Sequence, residues 1–393
     1  MGVGGVPVPA ASLLFSSTKK STTFLYSHTP KFEVKANAAF ITDSNWFQVG
    51  RPIGNYGFMN ITTTSAPNTG GLKTQDVEEG SVNIRLYEGR VSQGPLRQTP
   101  VLFKVYPGRR AGGVVADMMA ANELNSHMFF QSSSKGISQH LMLLLGGFET
   151  TTGEQWLAFR DYGKYSAADY AKVASEKVSK LSSWNSFERG QTFKRRHRFV
   201  IKLLQGAMRG LAYMHDHDRL HQSLGPFSVS LNTISEREAT YLIPRLRDLS
   251  FSVSVRYSEL EDSGVGPLTE GLWARASRAS AFTYIDKRAF GIADDIYEAG
   301  LLFAYLAFVP FCEAGLLDGL SLQRLLENTF RLDLEAAREY CIADDKLVNA
   351  IEFLDLGNGA GWELLQAMLN ADFRKRPTAD AVMNHRFMTG EVL

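Results

Sequence analysis

The sequence predicts an α+β protein in which a small β-rich half precedes a larger helical half. Between residues 81 and 159, short apolar or alternating runs lie between turn signals, which is typical of strands. These runs are Ile84–Tyr87, Val101–Tyr106 and Leu141–Leu145. From residue 167 onward apolar residues recur at helical spacing, and the clearest segments are Ile201–His215, Asp295–Phe308 and Trp362–Leu369. The sequence contains no internal repeat.

Two further segments complete this prediction. Gly113–Phe130 has helical spacing and interrupts the strand-like region. Ala299–Cys312 is strongly apolar, but it is too short to span a membrane and contains Pro310. We therefore expect Ala299–Cys312 to form a buried core helix, and we expect no transmembrane helix in the chain.

The composition is that of a soluble globular protein with a large core. Of 393 residues, 44% are hydrophobic and 21% are charged, which are ordinary fractions for such proteins. The net charge of +1 gives no whole-chain argument for nucleic acid or for an anionic membrane. Cys312 and Cys341 are the only cysteines, so a disulfide framework and a cysteine-rich zinc site are both excluded.

The first 36 residues differ from the rest of the chain. They are rich in Ser and Thr and contain Lys but no Arg, and Glu33 is their only acid. Such a segment cannot bury enough apolar surface to fold, and it predicts a chloroplast transit peptide; an ordinary disordered N-terminus is the alternative. Val34–Ala36 resembles a stromal processing site, which would start the mature chain near Asn37. We expect a protein of the stroma or of the thylakoid periphery, with residues 37–79 as an extension and linker.

Several landmarks follow one another along residues 80–390. They are Val101–Val105, Leu211–Val229, Arg247–Ser250, Asp295–Gly300 and Leu365–Phe387. In this order they resemble the signatures of the eukaryotic protein-kinase superfamily. The resemblance implies a bilobal fold with a β-rich lobe over about 80–160, which contains one helix, and a helical lobe over about 161–390.

The resemblance also assigns roles to individual residues. Lys104 matches the strand lysine that neutralises nucleotide phosphates, and Glu123 matches its ion-pair partner. Asp248 matches the magnesium-binding aspartate of the Asp-Phe-Gly motif. His221 lies at the start of the catalytic loop, and Asp295 matches the aspartate that braces that loop. Arg376 matches the arginine that ties down the end of the activation segment, for which Asp286 is a candidate partner.

Two segments compete for the glycine loop that covers the nucleotide. Ile53–Met59 contains Gly54 and Gly57 but lies far ahead of Lys104. Glu79–Asn83 lies at a better distance but contains only Gly80. Glycines matter there because backbone amides must approach the phosphates without side-chain interference. A plain β-turn remains the alternative for each segment.

The catalytic loop departs from the family at three positions. Ser223, Gly225 and Ser228 stand where the family has a base (Asp), a cation (Lys) and a metal ligand (Asn). General acid–base assistance alone is typically worth about 10²–10⁴-fold. We therefore expect a pseudokinase that acts as a scaffold or regulator of plastid proteins, with ATP and Mg²⁺ as possible ligands. The alternatives are a non-standard Ser/Thr kinase and, more rarely, an enzyme that moves another group from ATP.

A basic run, Lys194–Arg198, precedes the catalytic loop. Such a run can dock RNA, an acidic partner or a membrane surface, but it is more often the solvated start of a helix. It has no interleaved aromatic residues, so by itself it gives no specific nucleic-acid signal. The sequence gives no indication of the oligomeric state.

Overall fold

The structure, a computed structural model, describes residues 40–57, 60–63, 75–78, 82–132, 136–181, 186–258 and 268–391. The predicted transit peptide, residues 1–36, lies outside the described residues, and so does Gly80. The described chain divides into two compact units. One contains the described residues of 40–62, 75–132 and 143–161, and the other contains residue 63 and the described residues of 136–142 and 162–391.

The first unit is built on an antiparallel sheet. The strands of this region are β1 (Phe47–Gly57), β2 (Asn60–Thr63), β3 (Gln75–Glu78), β4 (Asn83–Val91), β5 (Pro100–Tyr106), β6 (Leu144–Glu149) and β7 (Gln155–Arg160). Five of them form one sheet in the order β1-β4-β5-β7-β6, while β2 pairs with β3. The sheet thus places the central strand β5 between two neighbours that satisfy its backbone hydrogen bonds on both sides.

Strand β5 presents different chemistry on its two faces, because successive side chains of a strand point in opposite directions. Val101, Phe103 and Val105 pack into a hydrophobic cluster with Phe47 and neighbouring residues. Lys104 lies between Phe103 and Val105 in sequence and therefore points to the opposite face. Although β5 is apolar on one side, its other side can hold a charged group.

A long helix, α1 (Arg109–Gln131), packs against this sheet. Its dihedral angles break at Gly113, where φ is 67° and ψ is −170°. A residue with a side chain is strained in that region of φ/ψ space, so the break requires glycine. The regular helix beyond Gly113 agrees with the helix predicted over Gly113–Phe130.

The second unit is mainly helical. Its helices are α2 (Ala167–Leu181), α3 (Ser186–Asp216), α4 (Glu270–Arg278), α5 (Tyr284–Phe308), α6 (Gly319–Arg324), α7 (Leu334–Ile342), α8 (Val348–Leu354), α9 (Leu356–Met368), α10 (Ala379–Met383) and α11 (Arg386–Thr389). Its short strands are β8 (Tyr165–Ser166), β9 (Arg219–Leu220), β10 (Val229–Leu231), β11 (Arg245–Leu246) and β12 (Val253–Ser254). A sheet-based N-terminal region followed by a helical C-terminal region confirms the predicted α+β class.

Helix α5 forms the centre of this unit and packs against α3, α4 and α9. It begins with a capping box in which Thr283 and Asp286 exchange hydrogen bonds, which satisfies free amides of its first turn. Its second half and the following 3₁₀ turn, Val309–Phe311, are buried, as predicted for Ala299–Cys312. None of the described helices is both long enough and apolar enough to cross a membrane.

The run Leu141–Leu145 does not form the single strand that the sequence predicts. Strand β6 begins only at Leu144. Met142 donates its backbone N–H to the carbonyl oxygen of Leu246, and Leu141 forms an isolated bridge with the same residue. Leu141 and Met142 are apolar and buried. The strand prediction fails because the backbone partners of Leu141 and Met142 come from a distant segment, which the local pattern does not reveal.

The basic run Lys194–Arg198 is not the solvated helix start that we expected. It lies inside α3, and the side chain of Arg196 is fully buried. Arg196 donates from Nε to the Glu236 carboxylate at 2.8 Å, and it also donates to the carbonyl oxygen of Pro310. Helical periodicity therefore divides the run between a buried anchor and an exposed face.

His197 is buried beside Arg196, and its ring lies 5.4 Å from Phe311 and 5.1 Å from Phe353 between ring centroids. Desolvation by burial, and to a smaller extent the nearby Arg196 charge, lowers the pKa of His197 from 6.5 to about 4. Below pH 6.5 the unfolded chain takes up a proton that the folded chain does not, so the free energy of unfolding falls as the pH falls towards 4.

When the pH is lowered from about 7 to 5, the free energy of unfolding of the wild type should fall because of His197. We expect this fall to be smaller by about 2 kcal/mol in the His197→Phe variant. Urea denaturation of both proteins at the two pH values measures this difference. A His217→Phe variant controls for the loss of one histidine at a half-exposed position. Equal pH dependence of wild type and His197→Phe would contradict the prediction.

Candidate functional site

The buried carboxylate of Asp295 holds the loop that follows β9. Its Oδ2 accepts from the backbone N–H of His221 at 2.8 Å, and its Oδ1 accepts from that of Gln222 at 2.9 Å. The Gln222 side-chain amide donates to Oδ1 and the His215 ring contacts Oδ2, each at 2.9 Å. A fully buried carboxylate is costly unless its lone pairs are satisfied, so these contacts fix Asp295 and the loop together.

His221 connects this loop to the segment that contains Asp248. Its Nε2 lies 3.0 Å from the carbonyl oxygen of Arg247, which can only accept, so Nε2 carries a hydrogen. Its Nδ1 accepts the backbone N–H of Ser223 at 3.3 Å, so Nδ1 does not. The fully buried ring is thus a structural bridge between the loop and the Asp248 segment.

The hydroxyl groups of both replacement serines are engaged by nearby backbone. Ser223 Oγ donates to the carbonyl oxygen of Asp248 at 2.8 Å. Ser228 Oγ accepts from the Gly225 N–H at 2.8 Å and donates to the Gly225 carbonyl oxygen at 2.9 Å. The two bonds between Ser228 and Gly225 close a turn in which the serine hydroxyl takes the place of a backbone hydrogen-bonding group. The loop uses its polar atoms to hold its own shape.

Gly225 itself does not require the absence of a side chain. A Cβ built on it would meet nothing within 4 Å. A lysine would therefore fit at this position, and the missing cation has no steric explanation in the described residues.

Asp248 is buried and adopts a left-handed backbone conformation with φ 69° and ψ 51°. Aspartate tolerates this region better than most residues. The Arg247 Nε lies 3.5 Å from Asp248 Oδ2 and also donates to the Phe227 carbonyl oxygen at 2.9 Å. The carboxylate thus already has a cationic neighbour in its own segment.

Arg376 is held by backbone and by an aromatic ring. It donates to the carbonyl oxygens of Asn370 at 2.7 Å and of Ala293 at 3.0 Å, and its guanidinium lies 4.6 Å from the Tyr297 ring centroid. Burial lowers the pKa of Arg376, while the Asp294 carboxylate opposes that change. The expected Asp286 partnership is wrong, because the Asp286 carboxylate serves the capping box at the start of α5.

The buried acid near Arg376 is Asp294, and its ion-pair partner is Arg275 on α4, with N···O 2.5 Å. This pair was not among the predicted site residues, and neither was Glu298. The Glu298 carboxylate accepts the backbone N–H of Leu224 at 2.9 Å. Glu298 lies three residues after Asp295 and therefore on the same face of α5. That spacing was a signal in the sequence, whereas nothing local identifies Arg275.

In the first unit, Lys104 and Glu123 form a buried ion pair with N···O 2.5 Å. Lys104 is 2% exposed and Glu123 is fully buried. Tyr106 lies two residues after Lys104 on the same face of β5, and its hydroxyl donates to the same Glu123 oxygen. Lys104 and Glu123 thus form the ion pair that the resemblance predicts, and Tyr106 joins it.

The glycine candidates of Ile53–Met59 belong to strand β1. Gly54 pairs with Leu86 of β4 and Gly57 pairs with Asn83. A Cβ at Gly54 would meet nothing within 4 Å, so no close contact requires glycine there. The described part of the first candidate segment, residues 53–57, therefore lies in β1, while of the second segment only residues 82 and 83 are described, and Asn83 begins β4.

The described residues include Lys104 and Asp248, the candidate contacts for nucleotide and magnesium. They contain no group of three or more His, Cys, Asp or Glu side chains placed to hold a metal ion. The Ser228 hydroxyl is engaged by Gly225, and Asp248 has Arg247 beside it. The Lys104 ammonium has three donors, so its pairing with Glu123 does not by itself prevent a contact with a phosphate.

Comparison with known proteins leaves the family open. No protein-family model matches the chain, and a search of curated proteins found no match.

We expect Asp295→Asn to lower the free energy of unfolding by about 3 kcal/mol, because an amide group would face donors that now have a buried charged acceptor. Urea denaturation measures this loss, and hydrogen exchange should show faster exchange at His221 and Gln222. Asp286→Asn makes the same chemical change at the capped start of α5 and should cost less than about 1 kcal/mol. Equal losses in the two variants would show that Asp295 does not brace the loop.

Proposed function

We propose that this chain is a degenerate member of the eukaryotic protein-kinase superfamily and acts as a plastid pseudokinase, a scaffold or regulator that binds other proteins. The observation that carries the proposal is the loop after β9. Asp295 holds it firmly, while the base, cation and metal ligand of the family are replaced by Ser223, Gly225 and Ser228.

The hydrogen bonds of this loop support a structural role for it. Phosphoryl transfer depends on preorganised charges that align the hydroxyl and neutralise the phosphoryl group. Ser223 and Ser228 donate to backbone carbonyl oxygens, and Gly225 supplies no charge. A loop whose polar atoms satisfy one another keeps its shape without substrate, which suits a protein that functions by presenting a surface.

The ion pair of the first unit has a structural role. Removing one partner of a buried charge pair is expensive, because the other charge loses its compensation. Glu123 binds both Lys104 and Tyr106, which ties strand β5 to helix α1. We therefore propose that the pair stabilises the sheet against α1, a role that does not require ATP.

We expect the full chain to transfer no phosphate from ATP to itself or to a general Ser/Thr substrate above the level of its Lys104→Met variant. In a thermal-shift titration, ligands that bind only the folded state raise its stability by mass action. We expect no magnesium-dependent ATP shift. Lys104-dependent phosphate transfer would overturn the proposal and favour the non-standard kinase. ATP could instead raise the melting temperature of the wild type but not of Lys104→Met, with no phosphate transfer. That result would agree with a scaffold protein that binds nucleotide.

The plastid part of the proposal depends on residues 1–36. We expect these residues, fused to a fluorescent protein, to direct it into chloroplasts, and we expect the chain without them to remain outside. Fluorescence microscopy of plant cells that express the two fusions measures this. A chloroplast signal from the shortened chain, or none from the 1–36 fusion, would contradict the assignment.

A further inference from the structure

Helix α3 has one outward face on which positive charge accumulates. Between residues 189 and 215 the helix contains no Asp or Glu, although the whole chain has nearly equal numbers of acids and bases. Five cations at helical spacing share the outward face, and we name them the basic stripe: Lys194, Arg195, Arg198, Lys202 and Arg209. At 1.5 Å per residue, the stripe extends over about 22 Å.

The cations of the stripe are available to a ligand. Lys194, Arg198 and Arg209 are exposed, and Arg195 and Lys202 are half-buried. None of the five forms an ion pair with another described residue. Two acids of the segment that packs against α3 are engaged elsewhere: Glu236 binds the buried Arg196, and Glu238 accepts from the Thr233 hydroxyl.

Two exposed aromatic rings accompany the stripe. Phe187 is 75% exposed and lies on the same face of α3, near its start. Tyr241 is 74% exposed and follows Thr240, whose carbonyl oxygen accepts from the Lys202 ammonium. The segment Glu236–Tyr241 packs against α3 and also presents the exposed Arg237. Exposed cations accompanied by exposed rings match the two needs of single-stranded nucleic acid, phosphate neutralisation and base stacking.

The same features argue against the other polyanions. A helix that binds a membrane interface inserts its apolar face, but the apolar face of α3 is buried in the second unit. Between residues 191 and 209 the outward positions are all polar. An acidic peptide would need no exposed rings, whereas single-stranded nucleic acid uses such rings to stack its bases.

We propose that the basic stripe of α3, with Phe187 and Tyr241, is a binding surface for single-stranded nucleic acid. The proposal is independent of the pseudokinase assignment, since it uses no residue of the loop after β9 or of the Lys104 pair. It adds a function to the run Lys194–Arg198, which by itself gave no specific nucleic-acid signal. The signal arises when helix geometry adds Lys202 and Arg209.

The test is fluorescence anisotropy of a labelled uridine homopolymer with the full chain at several salt concentrations. We expect binding that weakens steeply with salt. The triple variant Arg195→Gln, Arg198→Gln, Arg209→Gln should bind about tenfold more weakly or worse at low salt. Its slope of log K against log salt should be smaller in magnitude by about 2, since each single-strand phosphate contact contributes about 0.7. The corresponding triple lysine variant should keep the wild-type slope.

A matched control removes three exposed charges elsewhere in the second unit: Arg278→Gln, Lys346→Gln and Lys375→Gln. This control should bind within about twofold of wild type. Tyr241→Ser should weaken binding about fivefold while leaving the salt slope unchanged, because stacking contributes no counterion release. Thermal melting of each variant checks that it is folded.

Three results would overturn the proposal. One is failure of the folded wild-type chain to bind the homopolymer. Another is an equal loss of affinity in the control triple variant, which would mean that the affinity depends on net charge and not on the basic stripe. The third is stripe-dependent binding to phosphatidylcholine–phosphatidylglycerol vesicles or to polyglutamate without binding to the homopolymer, which would assign the face to a membrane or an acidic protein.

Discussion

The carboxylate of Asp295 sets the geometry on which the candidate site depends. It is fully buried on α5 and accepts hydrogen bonds from two consecutive backbone amides, at His221 and Gln222. A buried charge without such donors would be several kcal/mol less stable, so the loop cannot leave without exposing or orphaning the carboxylate. The position of Ser223, the bridge through His221 and the neighbouring Asp248 segment all follow from this constraint.

The polar groups of the candidate site hold backbone in place. In the loop after β9, hydrogen bonds that fix backbone are satisfied, whereas the side chains that would act on a phosphoryl group are absent from the sequence. In the first unit, Lys104 pairs with Glu123, which also accepts from Tyr106. In both units polar groups stabilise the fold by satisfying one another.

Helix α3 illustrates how one sequence run serves two purposes. Arg196 turns inward, where Glu236 and the Pro310 carbonyl oxygen compensate its charge, and His197 packs between aromatic rings. The neighbouring Arg195 and Arg198 turn outward and join a stripe that the rest of the helix extends. The inward residues fix the helix in the second unit, and this fixed helix aligns the outward charges along one face.

The sequence by itself determined the α+β class, the buried helix at Ala299–Cys312 and the helix beyond Gly113, because each rests on a local hydrophobic period. It also indicated Lys104, Glu123 and Asp295 as candidates, since each lies in a recognisable local motif. It could not determine that Tyr106 joins Glu123, that Arg275 binds Asp294, that Asp286 caps a helix instead of meeting Arg376, or that Arg196 is buried. Only the tertiary structure decided these, because hydrogen bonds and ion pairs between distant segments depend on packing, which local pattern does not encode.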